Sequence, residues 1–165
     1  MLVRKERPED CAAIRLVNEE AFGRPHEADL VDRLRAQGVV LVSFVAEVED
    51  MIAGHILFSR MSIETTDKSV AAVALAPVAV MQKFQREGIG GKLIEHGLDW
   101  LRGGIEQIVF VLGHPDYYQR FGFSTDKARF IESPFNPNSF MALELKPHAL
   151  DGIRGKVRYP DAFGL

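Results

Sequence analysis

Apolar residues recur along the chain with two different periods, and each change of period marks the border of an element. Leu2 to Arg7 is a short strand candidate. It is ended by Pro8, whose fixed φ suits the first turn of a helix, and Glu9 and Asp10 favour that helix's N-terminus. Ile14, Val17 and Ala21 then fall at helical spacing as far as Phe22, where Gly23, Arg24 and Pro25 break the run. A second helix is expected from about His26 to Ala36, with Leu30, Val31 and Leu34 on one face and Gly38 as its stop. From Val39 the pattern changes to one rich in β-branched and aromatic residues. It predicts a strand over 39–48, a tight turn at Glu49-Asp50, a second strand over 52–64, a turn at 65–68 and a third strand over 70–80. These three strands should run antiparallel. Pro77 has no N–H to give to a ladder, so the third strand is expected to bulge or turn away from a neighbour near it.

After Val80 the helical period returns. Ile89, Leu93, Ile94, Gly97, Leu98 and Leu101 form an apolar stripe that runs to Arg102 and stops at Gly103-Gly104. Gly97 costs ~1 kcal/mol of helix propensity, which close packing of helix on sheet should offset. Ile108 to Leu112 is wholly apolar, as expected of a buried central strand. Pro115 is placed to open a short helix and Gly122 to close it. Phe140 to Leu145 supplies a further strand beyond Pro134 and Pro137, and Gly152 to Tyr159 a short edge strand. A strand, a helix and another strand in this order add one parallel βαβ unit to an antiparallel meander, a mixed α/β (α+β) class. With no repeat, low-complexity tract or linker, residues 1–165 are expected to form a single domain.

Composition changes this picture little. The chain is 47% hydrophobic and 26% charged, ordinary for a globular domain that buries its own core. The net charge of −3 offers no general attraction to nucleic acid or anionic membranes. No stretch approaches the ~20 apolar residues of a membrane span, and the N-terminus lacks a signal-peptide run, so a cytoplasmic protein is expected. Cys11, the one cysteine, allows no intrachain disulfide and no cysteine-based zinc site; it is expected as a small core residue of the first helix. His26, His96 and His148 are too scattered to propose a metal site.

The chemistry concentrates between strand and helix, at Val78-Ala79-Val80-Met81-Gln82-Lys83-Phe84-Gln85-Arg86-Glu87-Gly88-Ile89-Gly90-Gly91-Lys92. A helix N-terminus leaves four N–H groups without intrahelical partners and carries about half a positive charge, so it suits an anion. Gly88, Gly90 and Gly91 allow close approach to the backbone, and Lys83, Arg86 and Lys92 against Glu87 leave this stretch with two more positive charges than negative. A P-loop would need Ser or Thr after Gly91-Lys92, where Leu93 stands; a dinucleotide fingerprint would need glycine at the same place. What remains is Gln85-x-x-Gly88-x-Gly90 in a strand-loop-helix setting. It resembles the acetyl-coenzyme A signature of the GNAT superfamily of N-acetyltransferases. Tyr118-Gln119-Arg120-Phe121-Gly122-Phe123 matches a second segment common in that family, at the family's distance from the loop. The Tyr117-Tyr118 pair, the Phe140 to Leu145 strand and the Gly155 to Tyr159 tail look like the YhbS-like branch of predicted acetyltransferases.

The resemblance implies a GNAT fold whose sheet splays near Pro77, with acetyl-coenzyme A as acyl donor. Its pyrophosphate would lie on the backbone of Arg86, Gly88, Gly90 and Gly91, within the segment Gln85, Arg86, Glu87, Gly88, Ile89, Gly90, Gly91, Lys92, and its pantetheine arm along Val78, Ala79 and Val80. It also implies a main-chain N–H, that of Val80, for the developing oxyanion, and Tyr118 as the acid that protonates the departing thiolate. The base that takes the proton of the acceptor amine stays open among Glu20, Glu27, His55, His114 and Asp116. The expected reaction is direct transfer in a ternary complex to a small-molecule or protein amine. A non-catalytic acyl-coenzyme A binding module is the alternative, and a phosphate-binding fold unrelated to coenzyme A a third reading. Exposed edge strands would suit a homodimer.

Overall fold

A computed structural model describes residues 1–165. The chain folds into two compact units, Met1–Ser59 with Ala76–Asp99, and Arg60–Leu75 with Trp100–Leu165. Both are built on strands of a mostly antiparallel sheet flanked by helices, the class that the hydrophobic pattern predicts.

In the first unit the strand order is β1 (Leu2–Lys5), β2 (Val40–Val48), β3 (from Met51) and β4 (up to Val80), with helices α1 (Cys11–Phe22) and α2 (His26–Gln37) between β1 and β2 and α3 (from Ile89) after β4. β1 lies antiparallel to β2, and β2 to β3. The turn between β2 and β3 holds Glu49 and Asp50 both at positive φ, 52° and 61°. That pair gives the twist a two-residue hairpin loop needs, although neither residue is the usual glycine. Both helices end where expected: Gly23 and Gly38 take left-handed φ of 67° and 73°, closing α1 and α2.

The buried stripe of α1 contains Ile14, Val17 and Asn18. One turn earlier the stripe passes through Asp10, not Cys11. Asp10 is buried and carries two hydrogen bonds from the Arg4 guanidinium, at 2.7 and 3.1 Å, and one from the Arg7 amide. Cys11 is therefore exposed, contrary to the expectation of a core thiol. Arg4 in turn holds Glu47, which ties the start of α1 to β2.

In the second unit, β5 (Ile108–Leu112) lies between β4, which begins at Ser69, and β7 (Phe140–Glu144). Its pairing with β7 is antiparallel from Ile108↔Glu144 to Leu112↔Phe140. The parallel pairing with β4 covers only Val73↔Val109 and Ala74↔Phe110 and ends before Pro77, which follows a cis peptide bond. β8 (Gly155–Arg158) is not the edge strand expected from sequence. It pairs antiparallel with β3, from Ser62↔Arg158 to Glu64↔Lys156, and parallel with the two-residue β6 (Ile131–Glu132). β6 is too short to show an alternation, so the sequence carries no sign of it. The core here joins Met61, Ile63, Ile108 and Val157 to Phe110 and Phe140, whose rings stack at 5.1 Å.

Candidate functional site

β4 alternates over its last residues, with Ala79 buried and Val78 and Val80 half-exposed. The chain then makes a short 3-10 turn, Gln82–Phe84, before α3. Three contacts hold this connection in place. The Met81 N–H donates to the Ala53 carbonyl at 2.9 Å. The Gln82 N–H donates to the Glu20 carboxylate at 3.1 Å. The Gln85 carboxamide reaches back to donate to the Val80 carbonyl at 2.9 Å. Gln85 thus closes the loop on the strand end, a local role that explains a long polar side chain at that place.

Beyond Gln85 the backbone turns through two left-handed positions, Arg86 at φ 67° and Gly88 at φ 83°. The left-handed form costs a non-glycine residue about 1–2 kcal/mol, so its presence at Arg86 marks a loop held for its shape. A Cβ built on Gly88 would meet nothing within 4 Å, so the space over the loop is open. The helix closes its first bond from the Lys92 N–H to the Gly88 carbonyl at 3.1 Å, and the amides of Ile89, Gly90 and Gly91 precede any intrahelical acceptor. Ile89 itself is buried and takes no part through its side chain. It presses with Leu93 on the sheet at Gly54, where an added Cβ would lie 3.0 Å from both side chains and 3.3 Å from the Ala79 carbonyl. Gly54 is therefore what lets the start of α3 sit down on the strands. Gly97 repeats the device further along α3, since a Cβ there would run into the buried Phe58 ring.

Sequence reasoning passes over both Gly54 and the loop-holding role of Glu20, because their partners lie 25 residues or more away along the chain. Arg86, Glu87 and Lys92 are exposed around this turn. Open space, free leading amides and a basic surround fit a diphosphate group.

Tyr118 lies in the second unit, at the end of α4 (Pro115–Tyr118). Its amide donates to the His114 carbonyl at 3.1 Å, and a further 3-10 turn closes at Gly122 with φ 100°. The Tyr118 ring stands edge-on to Tyr117 at 5.0 Å and to Phe123 at 5.8 Å. Burial first, and the neighbouring Tyr117 second, push its phenol up to about 12. The group thus holds its proton at neutral pH. Tyr117 is half-buried, with the Arg120 guanidinium over its ring.

The base candidates differ sharply. His55 is fully buried, with Nδ1 3.1 Å from the Asn18 amide nitrogen and Nε2 2.8 Å from the Ser43 hydroxyl. Burial, helped by the Arg35 charge, lowers it to about 3. Both ring nitrogens are engaged, so it is a core residue and no base. Both oxygens of Glu27 accept from Arg24, at 3.0 and 2.6 Å, and that bonding holds its carboxyl below the usual range. Glu20 holds the loop amide. His114 and Asp116 keep exposed side chains at the opening of α4.

Residues 41–125 match the family model described as an acetyltransferase (GNAT) domain. The chain is 42% identical over 116 residues to the uncharacterized N-acetyltransferase YjhQ of Escherichia coli K12, an alignment spanning 69% of this chain and 64% of that protein. It is 32% identical to the uncharacterized N-acetyltransferase YhbS of the same strain, over 99% of this chain and 98% of YhbS. Its structure matches the crystal structure of Escherichia coli YhbS in complex with coenzyme A with a TM-score of 0.91, at 30% identity over 99% of this chain and 92% of the other. A GNAT family acetyltransferase from Brucella melitensis in complex with acetyl-coenzyme A matches with a TM-score of 0.82, at 38% identity over 98% and 97%. No helix is long and apolar enough to cross a membrane.

Proposed function

Since the chain belongs to the GNAT family of acetyltransferases, we propose that it transfers an acetyl group from acetyl-coenzyme A to a primary amine, directly and within one ternary complex. The observation that carries this reading is the loop before α3: two left-handed positions, open space above Gly88 and helix amides that precede any intrahelical acceptor. The amides of Arg86, Gly88, Gly90 and Gly91 would hold the pyrophosphate, with Arg86 and Lys92 supplying charge, and Val78 to Val80 would line the pantetheine arm. Bound acetyl-coenzyme A supplies an acyl group activated as a thioester, so that a C–N bond to the acceptor forms as the C–S bond breaks. The Val80 N–H is assigned to the carbonyl oxygen as it gains charge.

Tyr118 offers its Oη–H to the departing sulfur. A phenol raised to about 12 is a weaker acid than an ordinary thiol at ~8.5, so transfer that left a bare tyrosinate would be uphill even to a finished thiolate. Tyr118 therefore donates a hydrogen bond that stabilises the charge growing on sulfur as the C–S bond parts, and it passes its proton on only as solvent returns one to Oη. The amine proton leaves to the solvent side, where His114 and Asp116 are the exposed acceptors. Direct transfer is favoured because the only cysteine, Cys11, sits at the exposed start of α1, with no place in the loop or beside Tyr118.

The test is release of coenzyme A with a panel of polyamines, aminoglycosides, amino acids and peptide N-termini, run beside Tyr118→Phe. Turnover should fall by about 10²-fold in the variant, with the affinity for coenzyme A unchanged. Coenzyme A binding without release across the panel would make the protein a binding module, and undiminished turnover in the variant would remove Tyr118 from the mechanism.

A further inference from the structure

Gly113, the residue after β5, reads in the sequence as no more than a strand stop. In the structure its φ is not among the positive ones, so an L side chain would suit its backbone. What excludes one is the Tyr118 ring. A Cβ at Gly113 would lie 2.9 Å from Tyr118 Cδ2, closer still to Cε2, and 3.5 Å from Cζ. The backbone there cannot retreat: the Gly113 N–H donates to the Ser139 carbonyl at 3.0 Å, and the preceding residue, Leu112, is paired with Phe140. The ring also meets Tyr117 and Phe123, both edge-on.

We infer that Gly113 is a positioning residue for Tyr118: its missing side chain is the space the phenol ring occupies, and it fixes where Oη points. The inference rests on the acid role given to Tyr118 above. An added methyl would have to push the ring by about 1 Å or more to reach ordinary carbon–carbon contact. A displacement of that order at a reacting group costs about tenfold or more in rate. The displaced ring would also disturb its edge-on contacts with Tyr117 and Phe123, which contribute to its burial.

The experiment compares wild type, Gly113→Ala, Tyr118→Phe and the double variant for kcat and coenzyme A affinity, with an ultraviolet titration of tyrosinate. Gly113→Ala is expected to lower kcat by about tenfold or more, to leave the Kd for coenzyme A within about twofold, and to shift one tyrosine's titration. That titration is identified by its loss in Tyr118→Phe. In the Tyr118→Phe background, Gly113→Ala should change kcat by less than about twofold, because no acid remains to misplace. An equal loss in both backgrounds overturns the inference. So does unchanged kcat and titration in Gly113→Ala beside an impaired Tyr118→Phe, and that outcome leaves the acid role standing. Undiminished turnover in Tyr118→Phe removes the acid role and this inference with it. Should Gly113→Ala alone fail to fold, Gly113→Ala with Tyr118→Ala decides: recovered folding supports the contact and unrecovered folding overturns it.

Discussion

The most quantitative consequence of the structure concerns acid. His55 is buried among groups that need it neutral. The Asn18 side-chain nitrogen donates to the Ile14 carbonyl at 3.0 Å, which fixes the amide's orientation and turns its second hydrogen to His55 Nδ1. Nδ1 is then an acceptor, the ring proton sits on Nε2, and the Ser43 hydroxyl at 2.8 Å receives it. A second proton on the ring would face the Asn18 N–H with no acceptor and would place a charge in the core, with Arg35 adding repulsion. The folded value is about 3, below the ~6.5 of an unfolded histidine, so between these values the unfolded chain binds the extra proton. Stability is therefore fully present above about pH 6.5 and is lost as the pH falls toward 3, at a limiting slope of about 1.4 kcal/mol per pH unit. Between about pH 6.5 and pH 4.5 the loss is about 2.3 kcal/mol, a large share of the about 5–15 kcal/mol typical of a domain.

The assay is urea unfolding at several pH values in that window, followed by circular dichroism, for wild type and His55→Gln. Glutamine keeps a donor and an acceptor in the pocket but does not titrate. Asp10, held low by Arg4, and Glu27, held low by Arg24, also lose stability as the pH falls through their depressed values. They do so in both proteins and cancel in the difference. The stability gap between the two proteins should shift by about 2.3 kcal/mol in favour of the variant as the pH is lowered. A gap constant within about 0.5 kcal/mol would refute the assignment of a neutral, buried His55 as the acid-sensitive group.

Two further substitutions test how α3 is seated and what it holds. Gly97→Ala gains ~1 kcal/mol of helix propensity but drives a methyl into the buried Phe58 ring, a clash of about 1–3 kcal/mol, so a net loss of up to about 2 kcal/mol is expected in chemical denaturation. A variant more stable than wild type would contradict the close approach of helix and sheet. Gly88→Val places a β-branched residue at φ 83° and fills open space over the loop, so the Kd for coenzyme A measured by calorimetry should rise about tenfold or more. An unchanged Kd would place the diphosphate elsewhere.

What the sequence discloses and what it conceals follow from the range of the interactions involved. The bounds of β5 and α3 coincide with expectation because a wholly apolar run and a six-position stripe are local signals. The shape of the loop before α3 is legible for the same reason, since a strand end, three glycines and a helix start follow one another within one short stretch. β8 reads wrongly as an edge because nothing within Gly155 to Arg158 reveals that β6 and β3 come to either side. Cys11 reads wrongly as a core thiol because the charged Asp10 occupies the next turn of the buried stripe, and Arg4, six residues earlier in the chain, with the Arg7 amide makes that burial tolerable.

The glycines sharpen the point. Gly88 is glycine for its own backbone, and a sequence can say so. Gly54, Gly97 and Gly113 are glycines for somebody else's side chain, respectively Ile89 with Leu93, Phe58 and Tyr118. A missing Cβ carries no sign of which group fills its place: the stripe of α3 asks for close packing at Gly97, but Phe58, like the partners of Gly54 and Gly113, is identified only once the chain is folded. Yet these three glycines set the seat of α3 and the stance of the phenol, the two features on which the proposed chemistry depends. The motif residues would thus name the reaction while residues outside every motif set its geometry, and substitutions at the second group should alter rate or stability with the recognisable signature left intact.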